Sequence, residues 1–212
     1  MDTSRSLLEL WDYRRQVADM YQRVRVSSDP REAWNRWRAE RDQLFRTHSQ
    51  SPYPPRDRGA RVDLAFFDYD PAWRLEAQVV PVEGGVVDVA HSGDGSTRFV
   101  PFGRVELDAP GGDITLTLLW LEGYGGGVFL PFRDGTSADT TYGGGRYLLD
   151  TSKGADLGWS GDGRVILDFN FSYHPSCVHD PRWSCPLAPP ANRLHIAILA
   201  GERLHPEMGS VP

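Results

Sequence analysis

Residues 86–121 read VVDVAHSGDGSTRFVPFGRVELDAPGGDITLTLLWL, and this stretch decides the fold. Its apolar residues recur at every second position, as in Val105-Glu106-Leu107-Asp108 and Ile114-Thr115-Leu116-Thr117. A period of two puts alternate side chains on opposite faces of a strand. Gly93-Asp94-Gly95 and Pro110-Gly111-Gly112 interrupt the pattern with turn residues. Strands are therefore expected over Val86–His91, Arg98–Leu107 and Ile114–Leu121. Strands this close, with no helical pattern between them, form an antiparallel system.

The same period extends in both directions. Downstream, Val128–Phe132, Arg146–Asp150, Val165–Tyr173 and Leu194–Leu199 are further strands, separated by Gly123 to Gly127 and Gly161-Asp162-Gly163. Upstream, Val62, Leu64 and Phe66 alternate with Asp63, Ala65 and Phe67, and Leu75, Ala77 and Val79 with their polar neighbours. One sheet cannot cover both its faces, so the expected fold is mostly β (α+β): an antiparallel β-barrel or flattened β-sandwich with an N-terminal helix pair.

The helix pair follows from a period of 3.6. Leu7, Leu10, Trp11, Val17, Ala18, Tyr21 and Val24 mark one face of a helix over Leu7–Arg25. Asp29 is an N-cap residue, Pro30 suits the first helical position, and Glu32 completes a capping-box-like arrangement. The second helix runs to His48 with Ala33, Trp34, Trp37, Leu44 and Phe45 on its apolar face. Ser51-Pro52-Tyr53-Pro54-Pro55 ends the helical region. The expected organisation is a helical arm over residues 1–50 and an antiparallel β domain over 51–212, as one folding unit, with a frayed end from Pro206 to Pro212.

A net charge of −6 over 212 residues argues against a nucleic-acid or anionic-membrane partner. No apolar run approaches the ~20 residues of a membrane helix. The N-terminus leads into an amphipathic segment and not into a signal-peptide core, so the expected location is cytoplasmic. The sequence sets no oligomeric state.

Four groups of residues carry chemistry. On the expected strand Ile166–Tyr173, Asp168 and Asn170 share the face opposite Leu167, Phe169 and Phe171. That face is either solvated or the inside of a barrel mouth, aimed at a ligand or at Arg146. The segment from Arg133 to Arg146 is a hairpin, or an anion nest beside one of these arginines. It lacks the Gly-Lys-Ser/Thr ending of a phosphate loop. Arg146 needs a carboxylate, and Asp168 or Asp134 would serve. His174, Cys177, His179 and Cys185 could supply four zinc ligands, but all four fall in one proline-rich loop without paired spacing. No metal or cofactor is expected. Two free thiols, a local disulfide or a cysteine–histidine nucleophile are the other options there. The arginines of the second helix (Arg31, Arg36, Arg38, Arg41 and Arg46) alternate with Glu32, Glu40 and Asp42 and form an ion-paired, solvated face.

At these residues the chain resembles domain-of-unknown-function family 1684. The similarity rests on Phe129-Leu130-Pro131-Phe132-Arg133-Asp134-Gly135-Thr136, on Thr141-Tyr142-Gly143-Gly144-Gly145-Arg146-Tyr147-Leu148 and on Leu167-Asp168-Phe169-Asn170. It continues through Tyr173, Pro175, Cys177, Cys185-Pro186-Leu187, Pro189 to Leu194 and Ala200-Gly201-Glu202. Trp37 to Phe45 and Ser51-Pro52 belong to the same pattern. The chain departs from it at His174 and His179. The resemblance implies a relationship and no activity.

The functional expectation is a polar small-molecule site for an anionic ligand. It would be lined by Arg133, Asp134, Tyr142, Arg146, Tyr147, Asp168, Asn170, Tyr173, Cys177, Cys185 and Asn192. If that site is catalytic, Asp168 is the base and Arg146 the electrostatic stabiliser. One alternative is a non-catalytic interaction module that presents Trp34 and Trp37 of the helical arm. A second is a thiol- or metal-dependent enzyme at the Cys177/Cys185 loop.

Overall fold

The structure is a computed structural model, and it describes residues 3–59, 63–160 and 162–205. Two helices come first: α1 over Thr3–Val26 and α2 over Pro30–Thr47. Asp29 caps α2 as expected, its carboxylate accepting from the Glu32 N–H at 3.0 Å. The reciprocal half of the box is absent, because Glu32 turns outward to Arg36 at 3.1 Å.

Among the described residues ten strands follow: β1 (Ala65–Phe66), β2 (Arg74–Gln78), β3 (Val80–Pro81), β4 (Val87–Ala90), β5 (Ser96–Ala109), β6 (Gly112–Leu121), β7 (Val128–Phe132), β8 (Arg146–Asp150), β9 (Arg164–Asp168) and β10 (Glu202–Arg203). The main sheet has the order β3-β5-β6-β7-β8, with β4 also on β5, and it is antiparallel throughout. Two small antiparallel pairs, β2–β9 and β1–β10, complete the strand set. The main sheet does not close into a barrel; of the two expected forms, the flattened sandwich is the one that fits.

The β5–β6 hairpin is the longest element, and its turn is Pro110-Gly111, where Gly111 has φ +98. Proline followed by a residue with positive φ is the chemistry of a tight reverse turn. Along the hairpin Val105, Leu107, Ala109, Ile114, Leu116 and Leu118 are buried on one face. They meet Met20 and Tyr21 of α1, and Trp34, Trp37 and Leu44 of α2, in one core. A smaller cluster of Val89, Phe99, Leu119, Phe129 and Tyr147 packs separately.

Three expectations are corrected. The strand over Val165–Tyr173 stops at Asp168, where the Asp168 carboxylate caps a short turn over Phe169–Phe171. Leu194–Leu199 is not a strand; its backbone hydrogen-bonds to Arg133, Gly135 and Asp134 instead. On α1 the inward stripe is Tyr13, Val17, Met20, Tyr21 and Val24, while Leu7 and Trp11 stand 61% and 67% exposed. The first two turns of α1 touch residues 49–50 along the Ser6 and Glu9 side, which leaves Leu7, Leu8 and Trp11 facing away. The expected strand residue Val62 and turn residue Gly161, and the expected frayed end from Pro206 to Pro212, lie outside the described residues. No helix among the described residues is long and apolar enough to cross a membrane.

Candidate functional site

The residues expected to line one site separate into four places. Arg146 is fully buried and donates to the carbonyls of Ile198, Ala200 and Glu202. Its carboxylate partner is Asp134, at 3.2 Å, and not Asp168. Asp134 also accepts from the Ile198 N–H and the Thr136 and Ser137 hydroxyls, so its oxygens are fully used. This pair fastens the C-terminal segment to β8.

Asp168 and Asn170 are buried and engaged elsewhere. Asn170 donates to the carbonyl of Asp70 and to Asp168, and accepts from the Asp70 N–H. Its own carbonyl accepts from the Trp34 indole at 2.8 Å. Because the strand ends at Asp168, the polar pair turns into the helix–sheet junction, neither into solvent nor toward Arg146. Asn192 is a third staple, bonded to Thr117 of β6 and Pro131 of β7. In the glycine-rich loop before Arg146, the N–H groups of Gly135, Ser137, Ala138, Thr141, Tyr142 and Gly145 are bonded within the protein. Arg133 is half-buried in that loop, with its charge near Tyr142.

The remaining residues converge. Tyr147, Tyr173 and Cys185 line a cavity of about 90 Å³ between α1, β8 and the turn at residues 173–176. Tyr142 and Cys177 lie beside it, with Tyr142 Oη 4.0 Å from Cys177 Sγ. The rest of the wall comes from residues not expected there, including Tyr13, Tyr21, Arg41, Lys153 and His174.

Arg41 dominates this cavity. It comes from α2, is buried, and sits among the rings of Phe45, Tyr173 and Trp37 at 4.4, 4.8 and 5.7 Å. Its Nη2 donates to Glu202 Oε2 at 3.1 Å. Glu202 is itself buried and also accepts from the His174 backbone N–H at 3.1 Å. His174 Nδ1 and His179 Nε2 each approach its other oxygen at 3.6 Å. The Tyr142 N–H donates to His174 Nε2 at 3.2 Å, which places the His174 proton on Nδ1, toward Glu202. The adjacent Gly201 has φ +81, and a side chain there would meet the carbonyls of Ser172 and Phe169 at 2.7 and 2.8 Å. Glycine is what lets this strand enter so closely.

Burial raises the Glu202 carboxyl, but Arg41 and the hydrogen bond from His174 more than reverse this, so it stays ionised. Burial pushes the Tyr13 hydroxyl up to about 12 and raises Tyr21, Tyr147 and Tyr173 as well. The phenols therefore remain neutral hydrogen-bonding groups at physiological pH. The Arg41 Nε–H and the Tyr21 hydroxyl have no full hydrogen bond among the described residues; the Trp37 indole leans toward that hydroxyl without the required geometry.

Both alternative readings change. Trp34 and Trp37 are 4% and 1% exposed, so the interaction module loses its motive. His174 and His179 face Glu202 while the two cysteines lie together, so the four residues do not assemble as a zinc set. Among the described residues no group of three or more His, Cys, Asp or Glu side chains could hold a metal ion. The second helix also differs from its expected solvated face, because Arg41 is buried and Arg38 covers the Trp34 ring at 4.4 Å. A signal for Arg41 was present: it falls four residues after Trp37 and four before Phe45, within the apolar stripe of α2.

The model of a family described as "protein of unknown function (DUF1684)" matches residues 62–203. The chain belongs to this family. Its fold is similar to that of an uncharacterised protein of Haloarcula marismortui solved by solution NMR, with 35% sequence identity and a TM-score of 0.59. The similarity covers 80% of this chain and 91% of the archaeal one. No curated protein matches. Within the DUF1684 match lie all the expected site residues and Glu202, whereas Arg41 and the α1 tyrosines come from outside it.

Proposed function

We propose that this protein binds a small organic anion, a carboxylate of few atoms, in the cavity walled by Arg41. One observation carries the reading: Arg41 is buried on that wall with its Nε–H unpartnered among the described residues. A buried donor without a partner costs about 1–3 kcal/mol, and a bound oxygen removes that cost. Glu202 answers the Nη2 of the guanidinium, and the Nε–H is the donor this reading assigns to the ligand. The Tyr21 hydroxyl supplies a second polar contact, and Lys153, paired with Asp150 at 3.1 Å, adds a cation at the rim. A cavity of about 90 Å³ has room for roughly three waters at ~30 Å³ each, which limits the ligand to a few heavy atoms.

The test is a thermal-shift series with acetate, propionate, lactate, pyruvate and inorganic phosphate. A carboxylate at ~100 times its Kd stabilises the folded state by about 2.7 kcal/mol and raises Tm accordingly. Tyr21→Phe and Arg41→Lys are expected to stay folded and to lose most of that rise. An unchanged Tm with every acid removes the proposal.

A further inference from the structure

Cys177 and Cys185 are both free and half-buried, one on the short turn Ser176–Val178 and the other at the cavity wall. The chain between them folds back so that both reach Ser92. The Cys185 N–H donates to Ser92 Oγ at 3.1 Å, the Ser92 N–H donates to the Cys185 carbonyl at 2.8 Å, and the Cys177 sulfur shares the same hydroxyl. The two thiols lie close enough to perturb each other, and the Tyr142 hydroxyl stands 4.0 Å from Cys177 Sγ. Nothing in the carboxylate reading uses this cluster.

We propose that Cys177 and Cys185 form a redox-active dithiol site for a small hydroperoxide, with Cys177 attacking and Cys185 closing an intramolecular disulfide. The two sulfurs are not equivalent. The hydrogen bond from Cys185, aided by Ser92 and Tyr142 and opposed by burial, pulls the Cys177 thiol down to about 6. The same bond holds Cys185 up as a thiol. The downward shift favours the thiolate, the nucleophilic form of the residue, at Cys177. Its sulfur attacks the terminal peroxide oxygen: an S–O bond forms, the O–O bond breaks, and the leaving alkoxide or hydroxide takes a proton from solvent. The Cys185 sulfur then attacks the sulfenic sulfur: the S–S bond forms, the S–O bond breaks, and the departing hydroxide leaves as water with the Cys185 proton. Overall the dithiol loses two electrons to the peroxide, which is reduced to an alcohol, or to water, and one further water. A disulfide here ties the 174–185 loop to itself beside the cavity, since Pro175, Ser176 and Cys185 are wall residues.

The test treats the reduced full chain with hydrogen peroxide, blocks remaining thiols with iodoacetamide, and maps the products by mass spectrometry. The expected product is a single Cys177–Cys185 disulfide within one chain, lighter by two hydrogens and unalkylated. Cys185→Ser is expected to stop at a sulfenic acid on Cys177 that dimedone captures. Cys177→Ser is expected to slow peroxide consumption at least ~tenfold. Full alkylation of both cysteines in peroxide-treated, folded wild-type protein, or a disulfide formed only between chains, overturns the proposal. The wild-type map decides the matter even if a variant fails to fold, and its result is independent of any carboxylate binding.

Discussion

Arg41 on α2 and Glu202 on β10 are 161 positions apart in sequence and hold each other at 3.1 Å, with both side chains withdrawn from water. This contact ties the helical arm to the last strand. Glu202→Ala leaves Arg41 buried without its counter-charge, and the expected loss is about 3–5 kcal/mol in urea unfolding. Replacing both residues by Met is expected to cost clearly less than the sum of the single substitutions. Strictly additive losses in that double-mutant cycle would show that the two charges are not coupled.

Two buried carboxyls contribute terms of opposite sign to the pH dependence of stability. Glu202 is held below the usual carboxylate range, so its contribution is present above ~4.3, the unfolded value, and is lost as pH falls. Asp168 is raised to about 6, by burial first, against the hydrogen bonds from Asn170. Its contribution is complete below ~3.9 and is lost as pH rises through about 6, leaving a cost on the order of 2–3 kcal/mol at pH 7. Asp168→Asn keeps an acceptor for Asn170 and removes the charge. It is expected to stabilise the protein by about 1–3 kcal/mol at pH 7 and to flatten the profile between pH ~4 and ~6. Parallel pH profiles for wild type and variant would contradict this.

Two tryptophans on neighbouring helices should respond very differently. Trp37→Ala empties a packed position between Tyr21, Phe66 and Phe171 and is expected to cost about 3–5 kcal/mol. Trp11→Ala, on the outer side of α1, is expected to stay within ~0.5 kcal/mol. Chemical denaturation of the two variants side by side measures the difference directly.

Asn192 replaces part of a sheet ladder. Strands β6 and β7 pair only at Leu119–Phe129 and Trp120–Val128, and beyond them Pro131 has no N–H to donate. The Asn192 amide fills that gap, donating to the Thr117 and Pro131 carbonyls at 2.9 Å each and accepting from the Thr117 N–H at 2.8 Å. Asn192→Ala strands these groups and is expected to cost roughly 2–4 kcal/mol. Faster amide hydrogen exchange at Thr117 is the accompanying sign; unchanged exchange there would argue against the bridge.

The elements were legible in the sequence wherever a local rule acts alone. The period of two located β5, β6, β7 and β8, and Asp29-Pro30 located the start of α2, because pleat, cap and proline geometry depend only on neighbouring residues. The site was legible only in part. Tyr147, Tyr173 and Cys185 reach the cavity, but Arg146, Asp168, Asn170 and Asn192 hold the frame together. A buried polar residue and a ligand-binding one have the same local pattern, and their difference lies in what stands opposite.

By itself, the sequence therefore determined two amphipathic helices, a run of antiparallel strands, and a concentration of polar and aromatic residues in the last third. The tertiary structure alone decided where those polar groups point. Asp168 and Asn170 turn inward because a side-chain cap ends their strand. Arg41 keeps its charge inside α2's apolar stripe because Gly201 lets Glu202 approach from the far end of the chain. Periodicity records which residues leave water; it does not record the distant partner that makes a buried charge tolerable.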